Sequence, residues 1–330
     1  MEERRETEDF WGTDPVRRAC PEEFERVMEF YDRLTDEMEG AQYHPGWEKG
    51  VYPDPEFIRE SMEEGELFVL EKDGGIAGAM VINHQGTDGY EQAAWKVSAA
   101  PEETAVLHAL GVLPAYQGQG LAKRLVRAAG RIAVENGCRA VRLDVLEGNL
   151  PAKKLYESVG FQYIERMELF YEDTGLAGFW LYELELGTVR PAEPEDREDR
   201  EAVYGLMCQL ENQELPKEGF DEIYGEILGD GHFCSLVYDR GGRAEAFVNM
   251  RMEGQLHHGG PVAEILELVV ADGLRGQGIG EILFWEACRQ AEEKGCMCLD
   301  LTSGRQRTGA HRFYERQGMK KSHFKFTMEL

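Results

Sequence analysis

Apolar and polar positions along the chain change period in blocks, and the same order of blocks occurs twice. Each series opens on a short apolar stretch closed by Pro and acidic residues, "VRRACPEE" at Val16–Glu23 and "VRPAEPED" at Val189–Asp196. That pattern is a strand running into a turn. The amphipathic spacing behind it predicts helices over Glu22–Met38 and Arg197–Gln213. Apolar runs on either side of Gly74-Gly75, and again of Gly241-Gly242, predict hairpins. Each series continues with an apolar strand (Ala105–Val112; Ala263–Val270), a glycine loop and a helix (Leu121–Asn136; Glu281–Lys294). It ends with a strand (Ala140–Val145; Met297–Thr302), a short helix carrying a tyrosine, and a closing hairpin.

From "LHALGVLPAYQGQGLA" and "ILELVVADGLRGQGIG" onward the two series stay in step at an offset of 158. Gly118/Gly276, Gly120/Gly278, Gly137/Gly295, Tyr156/Tyr314 and Gly160/Gly318 all coincide. Earlier landmarks are offset by 173 and 167, so the first copy is longer by six residues before the hairpin and by nine after it. Insertions of that kind belong in loops. The repeat is too long for a solenoid unit. It predicts a duplicated domain of α/β class built on a mixed sheet, residues 1–186 and 187–330, with about the first twelve residues frayed.

The glycine loop leaves a strand and opens a helix. Such a junction presents backbone N–H groups and the positive end of a helix dipole, and suits an anion such as a diphosphate. Gly118 and Gly120 with Lys123, and Gly276 and Gly278 with Glu281, fail the last position of G-x-G-x-x-G, and neither copy has a Walker loop. Both copies do have [QR]-x-x-G-x-[GA]: Gln117, Gly120, Ala122 and Arg275, Gly278, Gly280.

With the downstream "N-x-x-A-x-x-L-Y-E-x-x-G-F" at Asn149–Phe161, this pattern resembles the GNAT acetyltransferase superfamily over nearly the whole of both halves. The resemblance implies a sheet splayed between its fourth and fifth strands, with acetyl-CoA as acetyl donor in the split. Pantetheine would pair with the strand backbone around Leu110 and Val112, and around Leu268 and Val270. The diphosphate would lie on Gln117, Gly118, Gln119, Gly120, Leu121 and Ala122, and on Arg275, Gly276, Gln277, Gly278, Ile279 and Gly280. Lys123 and Asn149 complete the donor set of the first copy.

Acetyl transfer to an amine needs a group to take a proton from nitrogen and one to protonate the leaving thiolate. The resemblance gives the acid role to Tyr156 and Tyr314. For the base, Glu264 of the second copy stands where histone-acetylating relatives carry a glutamate. Glu267 is the alternative, three residues on and expected on the opposite face. The first copy has Val106 at that position, so His108, Asp144 or a water must serve. The second copy also resembles aminoalkylphosphonate N-acetyltransferases, through "QLHH", "AHRFYERQGM" and "SHFKFT". That implies a small primary amine bearing an anion, surrounded by His257, His258, Glu264 and His311, with Arg307 holding the anion. Some phosphonate-acetylating relatives depend on a divalent metal. The irregular spacing of His257, His258 and Glu264 argues against one here, and no metal ligand is assigned. In the first copy the aromatic loop "YHPGWEKGVYPDP", with Trp47 at its centre, forms the acceptor wall.

Net charge is −27, shared by both halves, which disfavours nucleic acid and favours cationic small molecules. No apolar run reaches membrane-spanning length. "MEERRETEDF" lacks the apolar core of a signal peptide, and seven cysteines suit reduced thiols, so a cytoplasmic protein is expected, monomer or homodimer. Cys296 and Cys298 read as small residues of a buried strand. Three functions stand at this point: a tandem amine acetyltransferase, an acetyl-CoA sensor or structural module with one silent half, and N-terminal protein acetylation by the first half.

Overall fold

The computed structural model describes residues 16–43 and 45–328. The tail expected to fray lies outside them. The chain divides between Leu186 and Gly187 into two units.

The first unit runs β1 (Val16–Arg18), α1 (Phe24–Met38), α2 (Pro55–Glu63), β2 (Leu67–Lys72), β3 (Gly75–Asn83), β4 (Thr104–Val112), α3 (Leu121–Glu135), β5 (Ala140–Leu146), α4 (Leu150–Glu157), β6 (Gln162–Tyr171) and β7 (Gly175–Glu185). Its sheet has the order β1-β2-β3-β4-β5-β7-β6. Only β4 and β5 are parallel. Leu34, Phe30, Ile58 and Met62 of α1 and α2 pack with Val69 and Val81 on one face. Leu125, Val126 and Ala129 of α3 pack with Leu70, Met80 and Leu143 on the other. Covered on both sides, β3 is apolar along nearly its whole length ("GIAGAMVIN") rather than alternating. Asp54 caps α2 through Glu56 and Phe57 N–H, ahead of Pro55, and that fixes where the helix starts.

The parallel pairing of β4 with β5 covers only Thr104–Val106 against Ala140–Arg142. Beyond it β4 follows β3 to Val112, while β5 follows β7 to Leu146. The two strands therefore splay. A register shift opposite Met80 lies at the start of the split, where Ala109 takes φ +47°. A left-handed alanine is strained by about 1–2 kcal/mol. It is held by Tyr31, whose buried hydroxyl donates to the Ala109 carbonyl at 2.9 Å.

The second unit runs β8 (Thr188–Pro191), α5 (Arg197–Glu211), α6 (Lys217–Gly229), β9 (Phe233–Arg240), β10 (Arg243–Gln255), β11 (Gly260–Val270), α7 (Ile279–Glu293), β12 (Leu299–Leu301) and α8 (Thr308–Arg316), with sheet order β12-β11-β10-β9-β8. An arginine clamp shows its kinship with the first unit. Arg17 of β1 binds Glu23 and Glu71, and Arg190 of β8, 173 residues on, binds Asp199 and Asp239. Again the parallel pair is short, Ala263–Ile265 against Leu299–Leu301, and past it β11 stays paired with β10 to Val270 while its other edge has left β12.

Three expectations change here. The second unit has no closing hairpin among its described residues. Residues 319–328 form no strand, and Phe324, Phe326 and Met328 are exposed. Without the antiparallel neighbour that pins all seven residues of β5, β12 keeps three. Cys296 and Cys298 consequently fall outside the strand, and Cys298 is exposed rather than buried. The helix expected to reach Gln213 stops at Glu211, because Asn212 turns left-handed at φ +54° and closes it.

Candidate active sites

The glycine loops are built alike. Gly118 and Gly120 take φ +74° and +81°, and Gly276 and Gly278 take +87° and +98°. A Cβ at Gly118 or Gly120 would meet nothing within 4 Å. Backbone conformation, not lack of room, selects glycine there. Neither α3 nor α7 has a side-chain cap, so no capping side chain competes with an anion at the start of either helix. Gln117 Nε2 donates to the Val112 carbonyl at 3.2 Å and Arg275 Nε to the Val270 carbonyl at 3.1 Å. The [QR] position thus tacks the loop to the strand end. Gln119 is held by Lys72. Lys123 Nζ donates to the Ser158 carbonyl, and burial with the nearby Arg127 lowers its pKa. Asn149 caps α4 by accepting from Ala152 N–H at 3.2 Å. Cradle, uncapped helix start and unpaired strand edge together fit acetyl-CoA as substrate in both units.

In the first unit a cavity of about 110 Å³ opens beside the split, lined by Trp47, Tyr52, His108, Leu110, Asp144, Asn149, Tyr156, Tyr171, Asp173 and Phe179 among others. His108, Asp144, Tyr156 and Trp47 are thus brought to one place. Asp144 Oδ2 accepts from Tyr90 at 2.5 Å and from Tyr171 at 2.8 Å. Burial, reinforced by Asp144, pushes the Tyr156, Tyr90 and Tyr171 hydroxyls well above their ordinary pKa, so all three stay protonated. Burial holds the His108 imidazole below its usual range, against the pull of Asp144. Gly111 lets β4 pack closely against α1 and Trp47, since a Cβ there would sit 2.2 Å from Leu34 and 3.4 Å from Trp47.

In the second unit the strand register overturns one expectation. Arg251 pairs with Glu264, Met250 with Ile265, and Asn249 with Glu267, leaving Leu266 as a bulge. Cross-strand partners share a face, so Glu264 and Glu267 point to the same side, not to opposite sides. Glu264 accepts from Arg251 at 2.9 Å. Glu267 accepts from Asn249 Nδ2 at 2.8 Å, and Asn249 Oδ1 in turn accepts from Ser235. Burial raises the Glu267 pKa, with Asn249 opposing and Glu211 adding to it. Arg307, which begins α8, binds Glu211 at 2.8 Å and the Leu210 carbonyl at 3.1 Å. Its charge offsets part of the rise that burial imposes on Tyr314. Glu267, Glu211, Arg307 and Tyr314 therefore form one neighbourhood.

Of the four residues expected to surround a single amine, two meet at Asp300 on β12, whose pKa burial and Glu264 raise while His258 opposes. His257 and His258 sit exposed in the β10–β11 turn, their rings 4.3 Å apart. At about 3.4 Å per strand residue that turn is roughly 20 Å from Glu267. Glu264 pairs in register with Asp300 on β12. His311 Nε2 contacts the Gly304 carbonyl at 2.9 Å. No group of three His, Cys, Asp or Glu among the described residues is arranged to hold a metal ion. Sequence reading missed Tyr90, Tyr171 and Asn249, and had Tyr52 only as part of the aromatic loop around Trp47. Tyr90 comes from the stretch where the first copy is nine residues longer, and that mismatch was its signal. Asn249 gave none, since strand pairing reveals it.

A splayed mixed sheet with an uncapped glycine cradle at the mouth of the split defines a class, the acyl-CoA-dependent N-acyltransferases. The chain belongs to the GNAT acetyltransferase family, whose model matches residues 27–161 and 200–319. It is an N-acetyltransferase using acetyl-CoA. It is 37% identical over 133 residues to an aminoalkylphosphonate N-acetyltransferase of Salmonella typhimurium, covering 40% of this chain and 86% of that one. It is 34% identical over 94 residues to a ribosomal protein bS18-alanine N-acetyltransferase of Haemophilus ducreyi, covering 28% of this chain and 65% of that one. A solved aminoglycoside N-acetyltransferase in complex with CoA matches at 19% identity and a TM-score of 0.39, covering 43% of this chain and 93% of that one. No helix of the described residues is long and apolar enough to cross a membrane.

Proposed function

We propose that the second unit acetylates a small primary amine bearing an anionic group, such as an aminoalkylphosphonate, by direct transfer from acetyl-CoA in a ternary complex. The observation that carries this reading is a half-buried carboxylate, Glu267, in the same neighbourhood as a half-engaged guanidinium, Arg307. Glu267 is partnered by a neutral amide, which leaves it free to take a proton from nitrogen. Arg307 uses only Nη2 on Leu210 and Glu211, so Nε and Nη1 remain for an oxyanion. Tyr314 is the acid for the departing thiolate. Glu267 takes the role given to Glu264, which is tied to Arg251. The similarity to the Salmonella enzyme supports the acceptor class.

The test is release of CoA thiol across a panel of amines with Glu267→Gln, Glu264→Gln and Tyr314→Phe. Because burial raises the Glu267 pKa, activity on an aminoalkylphosphonate should rise with pH through a value above the ordinary carboxylate range. Glu267→Gln should remove that limb and cost about 10²-fold or more in kcat, with Glu264→Gln far milder. Full activity in Glu267→Gln would refute the assignment.

A further inference from the structure

We propose that the first unit has an acceptor site of its own, for a compact primary amine that enters as a cation and carries no anionic group, with His108 Nδ1 as its base. This rests on the acetyltransferase reading above and goes beyond it in assigning a second, differently charged acceptor.

The cavity lining holds two carboxylates, Asp144 and Asp173, and four aromatic rings from Trp47, Tyr52, Tyr171 and Phe179 besides Tyr156, but no Lys or Arg. A phosphonate or carboxylate entering it would meet like charge without a counter-ion. An ammonium would meet a carboxylate and aromatic faces. Asp144 is prepared for that guest. Tyr90 and Tyr171 both donate to Oδ2, while Oδ1 makes no hydrogen bond to a described residue. The volume, about 110 Å³, suits a slender arm rather than a bulky polycycle.

His108 is oriented by its neighbours. Nε2 lies 2.9 Å from the Gln85 carbonyl and 3.1 Å from Asn83 Oδ1. Asn83 Oδ1 also accepts from Gln85 N–H at 3.0 Å, which fixes the amide's orientation. Both partners of Nε2 are acceptors, so Nε2 carries the hydrogen and the lone pair of the neutral ring is on Nδ1. Phe57 stands edge-on to the ring at 6.2 Å and flanks the imidazole. The titratable groups around the cavity are Asp144 on β5, Tyr156 on α4, Tyr171 on β6, Asp173 beyond it and Tyr52 on the loop before α2.

The step balances as follows. The bound ammonium gives one proton to His108 Nδ1, which passes it to solvent. The free amine attacks the carbonyl carbon of the acetyl thioester. As the C–S bond breaks, Tyr156 protonates the leaving sulfur and regains a proton from the new amide nitrogen. The products are the acetamide, CoA thiol and one proton.

The experiment is CoA release by the full chain with short alkylamines, an arylalkylamine, an aminoalkylphosphonate and an alanine-started peptide. The variants are Tyr314→Phe, Asp144→Asn, Tyr171→Phe and His108→Gln, each checked by thermal melting. Turnover of a slim cationic amine should survive Tyr314→Phe. Asp144→Asn should raise KM for that amine at least tenfold without changing KM for acetyl-CoA, and Tyr171→Phe should do so more weakly in a fold left intact. His108→Gln should lower kcat about 10²-fold and abolish the imidazole limb of the pH profile. Indifference to Asp144→Asn and His108→Gln, loss in Tyr314→Phe, or preference of the first unit for the phosphonate or the peptide would each overturn the inference. Acetyl-CoA binding in calorimetry with no amine turned over would overturn it while sparing the donor site. Absence of acetyl-CoA binding would overturn the acetyltransferase reading as well.

Discussion

The donor cradle yields a prediction whose size follows from backbone angles. In Gly120→Ala the new methyl meets nothing within 4 Å, so no clash contributes. What remains is the cost of an L-residue at φ +81°, about 1–2 kcal/mol. The stiffer unfolded chain returns about 0.4–1 kcal/mol. The net is near 1 kcal/mol, which for a unit of this size lowers Tm by about 2–4 °C. The loop can escape that strain by rotating, and the first-turn N–H groups of α3 then leave the cradle. Acetyl-CoA affinity at the first unit should fall by up to about tenfold, or 1.4 kcal/mol. Gly120→Asn should lose much less, because asparagine tolerates left-handed backbone. Calorimetric titration of the full chain with acetyl-CoA reads both effects, with Gly278→Ala as the mirror variant. Equal losses in Gly120→Ala and Gly120→Asn would refute the argument, since volume and not φ would then be the constraint. No change in either would remove the loop from donor binding.

Glu183 is only 3% exposed and accepts from Lys96 N, Val97 N and Arg142 Nε at 2.8, 3.0 and 3.0 Å. Glu183→Gln takes the counter-charge from Arg142, which keeps only the Val97 carbonyl and the Trp95 ring, and should cost about 3 kcal/mol, read as a lowered denaturation midpoint of the first unit. The Arg17 hydrogen bond lowers Glu23 from its ordinary 4.5 to about 2. A depressed carboxyl stabilises the fold above its unfolded pKa and loses that contribution as pH falls through the folded one. Acid unfolding should therefore lose its Glu23 share between those values, and Glu23→Gln should flatten that stretch of the curve. An unchanged acid profile would count against the ion cluster.

What the sequence disclosed was what the two copies hold in common. The offset of 158 carried the cradle, α3 and α7, and Tyr156 with Tyr314, because each depends on local chemistry repeated at fixed spacing. What it concealed depends on pairing between distant strands. Alternation placed Glu267 opposite Glu264, and a single bulged residue reversed that. Loops present in one copy only, such as the one bearing Tyr90, had nothing to be compared with. The closing hairpin was inferred for both copies from the first, and only there does β7 exist to hold β5.

The register of β10 has a further consequence. Two chemically identical side chains on β11 meet different partners only because Arg251 and Asn249 are two residues apart on the neighbouring strand. One glutamate is given a fixed positive charge and becomes part of the scaffold. The other is given a neutral amide and, under the proposed function, serves as the base. Exchanging the partners, Arg251→Asn with Asn249→Arg, would reassign the two roles without altering either glutamate. Under that proposal the choice of reagent is made across the sheet, by a strand that need never touch the substrate.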